Sequence, residues 1–167
     1  MVSKKIAFGG ICTGLIVILL YIASIIPTGK LTVYALSSLP IAFTVVGFGV
    51  PVAVIVYAAS GILSIFISGN IYATVPFVLF FGHYPILKHY IEKNRGMLVE
   101  ILLKLGVFNL SIVIAFVFFR GLLLTTLSVA PISTYSVFAI LLAAAQVVFF
   151  IYDYVFSRLI FYYESRM

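Results

Sequence analysis

The sequence predicts an all-α membrane protein: a six-transmembrane-helix bundle forming a single integral domain, residues 1–167, with both termini cytoplasmic. Three observations lead there. Hydrophobic residues make up 65% of the chain and charged residues 8%, with a mean hydropathy of +1.32, a composition far from that of water-soluble domains. The apolar stretches are continuous and reach about 20 residues, the length that crosses a hydrocarbon core, without the inside/outside alternation of barrel strands. Finally, Lys and Arg fall mainly on one side of the threading that six spans produce.

The first span is expected over 6–26. Lys4 and Lys5 precede it, and no signal-peptide cleavage pattern follows, so it reads as a retained helix. Pro27, Thr28 and Gly29 make the turn after it. A second span over 32–50 contains Pro40 and ends at Gly47, Gly49 and Pro51, which leave a very short connection to a third span over 52–67. Ser68-Gly69-Asn70 is a polar turn of the kind that joins antiparallel helices. The fourth span, 71–91, carries Pro76 and Pro85, so a kink or broken turn is expected at one of them. It runs into Lys88, His89, Glu92, Lys93, Asn94 and Arg95, the most polar segment of the chain. The fifth span is expected over 97–123. A polar loop from Thr125 through Pro131 to Ser136 follows, and the sixth span covers 135–161.

An inside N-terminus places Lys4, Lys5, Lys88, Lys93, Arg95, Lys104, Arg158 and Arg166 on the cytoplasmic side and leaves Lys30 and Arg120 outside. Because basic residues resist translocation, this asymmetry sets the orientation. The net charge of +6 sits at helix ends and not along an aromatic-studded soluble face, which argues against nucleic acid as a partner. The lipid bilayer is the expected medium. Cys12 is the single cysteine, so neither a disulfide framework nor a thiolate metal site can form within one chain, and no metal site is expected. No internal repeat of the inverted type is visible.

Catalytic chemistry needs clustered acids, bases or nucleophiles, and the four carboxylates and two histidines are spread over separate segments without a zinc, nucleotide or nucleophile motif. No catalytic residue and no cofactor is expected. The most informative local pattern is Gly10-Ile11-Cys12-Thr13-Gly14, where Gly10 and Gly14 stand one turn apart on one face. That spacing permits close approach of another helix, either of this chain or of a partner. Glu100 and Lys104 stand in the favourable order for an i,i+4 pair. Asn109 and Gln146 fall near the middle of the fifth and sixth spans, where an amide is costly to expose to lipid. Facing the interior, they either satisfy each other and the backbone or line a cavity. Arg120 either snorkels to the outer interface or holds an anionic ligand group. His83 and Tyr84 lie beside Pro85 in the inner half of the fourth span.

On these residues the chain resembles the substrate-binding S component of energy-coupling factor (ECF) transporters. The basic start at Lys4-Lys5 followed by a small-residue helix, Ile6 to Leu20, is similar to the alanine-rich opening of that family, with glycine here where many members have alanine. Leu39-Pro40-Ile41 followed by Gly47-Phe48-Gly49-Val50-Pro51 is similar to the family's second helix and its short turn into the third. The resemblance implies uptake of a vitamin or similar micronutrient across a bacterial cytoplasmic membrane. This chain would capture the small-molecule ligand outside, and a T component with two ATPase subunits would drive its delivery. It further implies a ligand site in the outer half, formed by the fourth to sixth helices and the loop after the first. In this chain that region holds Lys30, Tyr34, Tyr72, Asn109, Arg120, Tyr135 and Gln146, while Gly10 and Gly14 fall on the face that would meet the T component.

Two other classes fit the composition. A structural or scaffolding membrane protein, like those that determine rod shape, would pack its helices without a ligand cavity and work through a protein interface. An intramembrane enzyme would need Asp153, Glu100 or His83 to converge through the fold.

Overall fold

The computed structural model describes residues 2–93, 96–127 and 134–166, with the side chains of 119–127 and 134–141 lying outside the description. Among the described residues all regular structure is helical: α1 Val2–Ile25, α2 Lys30–Phe48, α3 Val50–Ser68, α4 Ile71–Pro76, a π-helical turn Phe77–Phe81, α5 Tyr84–Ile91, α6 Met97–Leu127 and α7 Thr134–Glu164. Five described stretches are long and apolar enough to cross a membrane: Val2–Ile25, Lys30–Phe48, Val50–Ser68, Met97–Phe118 and Leu142–Glu164. These are the features of a multi-pass membrane protein. The segment 71–91, expected as a fourth span, is three short pieces in place of one long helix.

The chain forms two compact units, Met1–Ser111 and Ile112–Met167, with the boundary inside α6. In the first unit α1 packs against both α2 and α3, and α2 also meets the π turn and α5. The core joins Cys12, Ile16, Leu20 and Ala23 of α1 to Tyr34, Ile41 and Val45 of α2, Ala53 and Val56 of α3, Phe77 and Ile86. Glycines set two of its corners. Gly49 has φ 88 and donates its N–H to Val45 O, closing α2, and Pro51 occupies the first turn of α3, where a missing N–H costs nothing. Gly69 has φ 60 and donates to Ile65 O. Asn70 then caps α4, its Oδ1 accepting from the Tyr72 N–H at 3.0 Å.

The unit is inverted relative to a water-soluble fold. Large apolar side chains face outward, with Phe66 at 80% and Ile11 at 71% exposure, whereas Ser37, Ser38, Thr44 and Ser60 are fully enclosed. An enclosed hydroxyl needs a partner, and these find one locally. Ser37, Ser38 and Thr44 donate to the carbonyls of Tyr34, Ala35 and Pro40, and Ser60 donates to Tyr57 O. Ser64 both donates to Gly61 O and reaches Thr74 Oγ1 at 3.2 Å, tying α3 to α4. Hydrocarbon accepts such an exterior, and the enclosed hydroxyls are satisfied without exposing polar atoms to lipid.

The second unit comprises the last part of α6 and α7. Its exposed residues include Val113, Val117, Val147 and Ile151, the same apolar exterior.

Candidate functional site

The broken segment 71–91 concentrates the unusual geometry of the first unit. Pro76 ends α4, and the next turn widens: the Gly82 N–H bonds Phe77 O at 2.7 Å, five residues back. One extra residue per turn turns the Val78 carbonyl outward, and two side chains hold it there. Tyr57 of α3 donates its hydroxyl at 2.9 Å, and His83 Nδ1 lies at 3.2 Å. A carbonyl only accepts, so the His83 contact requires the proton on Nδ1. π-helical turns inside α-helices occur frequently at functional sites.

Aromatic rings line this break. Phe77 and Tyr84 are fully buried. The Tyr57 and Phe77 rings lie 5.9 Å apart, Tyr34 stacks on Phe81 at 5.8 Å, and Phe80 contacts Phe81, Tyr84 and Phe108 at 5.2, 4.9 and 5.4 Å. Gly82 is a close approach between two of these parts. A Cβ there would stand 2.6 Å from the Tyr57 ring and 2.9 Å from Phe77 O, so only glycine lets the ring close over the turn.

The far end of the same segment carries a chain of charges. Glu92 Oε1, just past α5, accepts from Lys88 Nζ and, at 2.6 Å, from Lys104 Nζ of α6. Lys104 Nζ also bonds Glu100 Oε1 at 2.6 Å. Lys88 and Lys104 are 2% and 6% exposed. Burying two ammonium groups is affordable only with carboxylates in contact, and this need fixes the end of α5 to the first turns of α6.

The residues predicted to hold a ligand fall into three groups. Lys30 opens α2 at the surface and Tyr34 lies one turn later, buried, donating its hydroxyl to Ala73 O at 2.7 Å. That bond brings Tyr34 beside Tyr72, whose side chain is half-exposed. Asn109 donates Nδ2 to Leu105 O at 2.8 Å within α6, and Gln146 of α7 has a buried side-chain oxygen. The side chains of Arg120 and Tyr135 lie outside the described residues. On α1, Gly9 faces inward, where a Cβ would meet Val56 at 3.4 Å, whereas at Gly10 and Gly14 an added Cβ would meet nothing within 4 Å among the described residues.

Sequence reasoning singled out His83 and Tyr84 but passed over Tyr57 and the Val78 carbonyl. The available signal was Gly82 between Phe81 and His83, flanked by Pro76 and Pro85, in an aromatic-rich run. Chemically, the site offers flat apolar walls, a widened turn held by two side-chain donors, and a neutralised charge cluster at its end. Comparison of the chain with models of known protein families, with curated proteins and with solved structures finds no match.

Proposed function

We propose that this chain is the substrate-binding subunit of an ECF-type uptake transporter. In this reading it crosses a bacterial cytoplasmic membrane six times, with 71–91 as the fourth, broken crossing and both termini inside. It captures a vitamin or similar micronutrient from outside, and a T component and two ATPase subunits energise its release. The observation that carries the reading is the two-sidedness of α1: Gly9, Cys12, Ile16 and Leu20 are buried against α2 and α3, while Gly10 and Gly14 leave a bare strip along the opposite, exposed face. Small residues on a lipid-exposed face let a second helix approach closely, which is what a subunit docking onto a membrane scaffold needs.

The aromatic surroundings of the broken segment support a ligand role for this part of the chain, because cofactor-like molecules are gripped by apolar and aromatic walls with a few polar anchors. With its hydroxyl bound to Ala73 O, Tyr34 serves such a site as a wall. Lys30, Tyr72, Asn109, Arg120, Tyr135 and Gln146 supply the polar candidates.

Two experiments test the reading. Native mass spectrometry of the purified chain should show a retained small molecule, and Asn109→Leu or Gln146→Leu should reduce its occupancy. Co-purification with a T component should be lost in Gly10→Leu and Gly14→Leu while ligand retention persists. A chain that carries no ligand yet binds a partner through the same glycines would instead be the scaffolding protein of rod-shape-determining type.

A further inference from the structure

The basic residues of this protein are treated in two different ways. Lys88 and Lys104 are enclosed and matched to Glu92 and Glu100. Arg158 and Arg166 are exposed and, among the described residues, have no carboxylate partner. Each stacks instead on the tyrosine one turn earlier. The Arg158 guanidinium lies 5.5 Å from the centroid of Tyr154 and bonds its hydroxyl at 3.2 Å; Arg166 lies 5.1 Å from the centroid of Tyr162 and bonds its hydroxyl at 2.8 Å.

Tyr154, Arg158, Tyr162 and Arg166 follow one another at intervals of four, so they form a single ladder that drifts about 40° per step around the helix. The turn continues past α7, with the Arg166 N–H bonded to Tyr163 O. Glu164 lies two residues from both Tyr162 and Arg166, about 160° round the helix from each, and about 120° from Arg158, so it stands beside neither arginine. Toward the middle of α7 the flanking positions become apolar and exposed, with Ile151 at 60% and Val155 at 48%. The tyrosine hydroxyl holds each guanidinium beside its ring, and arginine's fork of donors is suited to phosphate oxygens.

Length places this ladder at a membrane boundary. α7 has 31 residues, about 46 Å of helix, against a hydrocarbon thickness of about 30 Å. Its end therefore reaches the headgroup layer, where tyrosine and arginine both concentrate.

We propose that the Tyr154–Arg158–Tyr162–Arg166 edge of α7 is a binding site for anionic phospholipid, each guanidinium engaging a headgroup phosphate and an acyl chain lying along Val155 and Ile151. The proposal rests on the membrane reading of the chain but not on its role in transport.

The test is native mass spectrometry of the full chain released from nanodiscs of equimolar phosphatidylglycerol and phosphatidylcholine. The wild type should retain phosphatidylglycerol preferentially. Arg158→Gln and Arg166→Gln should each reduce that preference about fivefold, the factor one basic residue contributes at an anionic surface, and the double variant should reach parity. Lys93→Gln, outside the ladder, should leave the preference unchanged. An unaltered preference in a double variant that melts at the wild-type temperature overturns the proposal, as does equal retention of the two lipids by the wild type. Failure to retain any phospholipid would overturn the membrane reading as well. Should the double variant fail to fold, Tyr154→Phe with Tyr162→Phe provides a second route: it removes the hydroxyls that orient the guanidiniums and should lower the preference about twofold, between no effect and the loss of one arginine. An unchanged preference in that variant would also defeat the site.

Discussion

α1, α2 and α3 are regular helices of 24, 19 and 19 residues, whereas the stretch 71–91 is divided into α4, a π turn and α5. The difference does not come from proline alone, because α2 passes through Pro40 without interruption. Segment 71–91 differs in having its displaced backbone held from outside: Tyr57 donates to the Val78 carbonyl and its ring covers Gly82. A helix can absorb one proline; it stays broken where a neighbouring helix supplies partners for the broken form. The break is enclosed by protein, with Phe77, Gly82 and Tyr84 buried.

The largest effect should come from the charges that fix the end of the broken segment. Glu92→Gln leaves Lys88 and Lys104 enclosed with one carboxylate fewer, at a cost of about 3 kcal/mol, the low end of the range for breaking a buried pair, since Lys104 keeps Glu100. Thermal unfolding in detergent should show it, with Lys93→Gln as the neutral reference. Equal melting temperatures for the two variants would mean that the end of α5 is not held by this cluster. Next comes Gly82→Ala, which forces a Cβ against the Tyr57 ring and Phe77 O and should cost about 2 kcal/mol through overpacking. Gly61→Ala, whose Cβ would meet Val78 at an ordinary 3.6 Å among the described residues, should match the wild type or exceed it by up to about 1 kcal/mol. The two alanines therefore separate the broken segment from the regular helices in a single assay.

The regular part was the legible part of the sequence. Gly47, Gly49 and Pro51 and then Gly69-Asn70 punctuate it, and each signal acts on its own few residues of backbone. An interruption near Pro76 or Pro85 was also readable, but its π geometry was not, because Tyr57 lies 21 residues before the carbonyl it holds. The charge cluster divides in the same way. Glu100 and Lys104 pair at i,i+4 and could be paired on sequence alone, while the bond from Lys104 to Glu92 spans 12 residues and a change of helix. Tyr34 looked like a ligand contact, yet the partner of its hydroxyl is Ala73, 39 residues away, a tertiary fact with no local trace. Gly9 and Gly10 are identical in sequence, and only the packing of α3 makes one inward and the other outward.

A smaller effect should separate the two supports of the π turn. Tyr57→Phe keeps the ring over Gly82 and removes only the hydroxyl, so the Val78 carbonyl retains the His83 contact and the cost should be about 1 kcal/mol. Hydrogen exchange at Gly82 and His83 should rise in this variant while the amides of α1 stay protected. Uniform protection would show that the turn is held by packing of the rings and not by the tyrosine donor.

The smallest expected change sharpens the same contrast from the opposite side. Gly10→Leu places a large side chain where an added Cβ meets nothing within 4 Å among the described residues, and it exchanges a poor helix former for a good one, a gain of about 0.5–1 kcal/mol in propensity. In the isolated chain its melting temperature should therefore match or slightly exceed that of the wild type, although Gly82→Ala introduces far less bulk. A marked loss of stability in Gly10→Leu would mean that this face of α1 is covered within the chain itself. It could then no longer serve as the bare strip on which another protein's helix docks, and the transport reading would lose the observation that carries it.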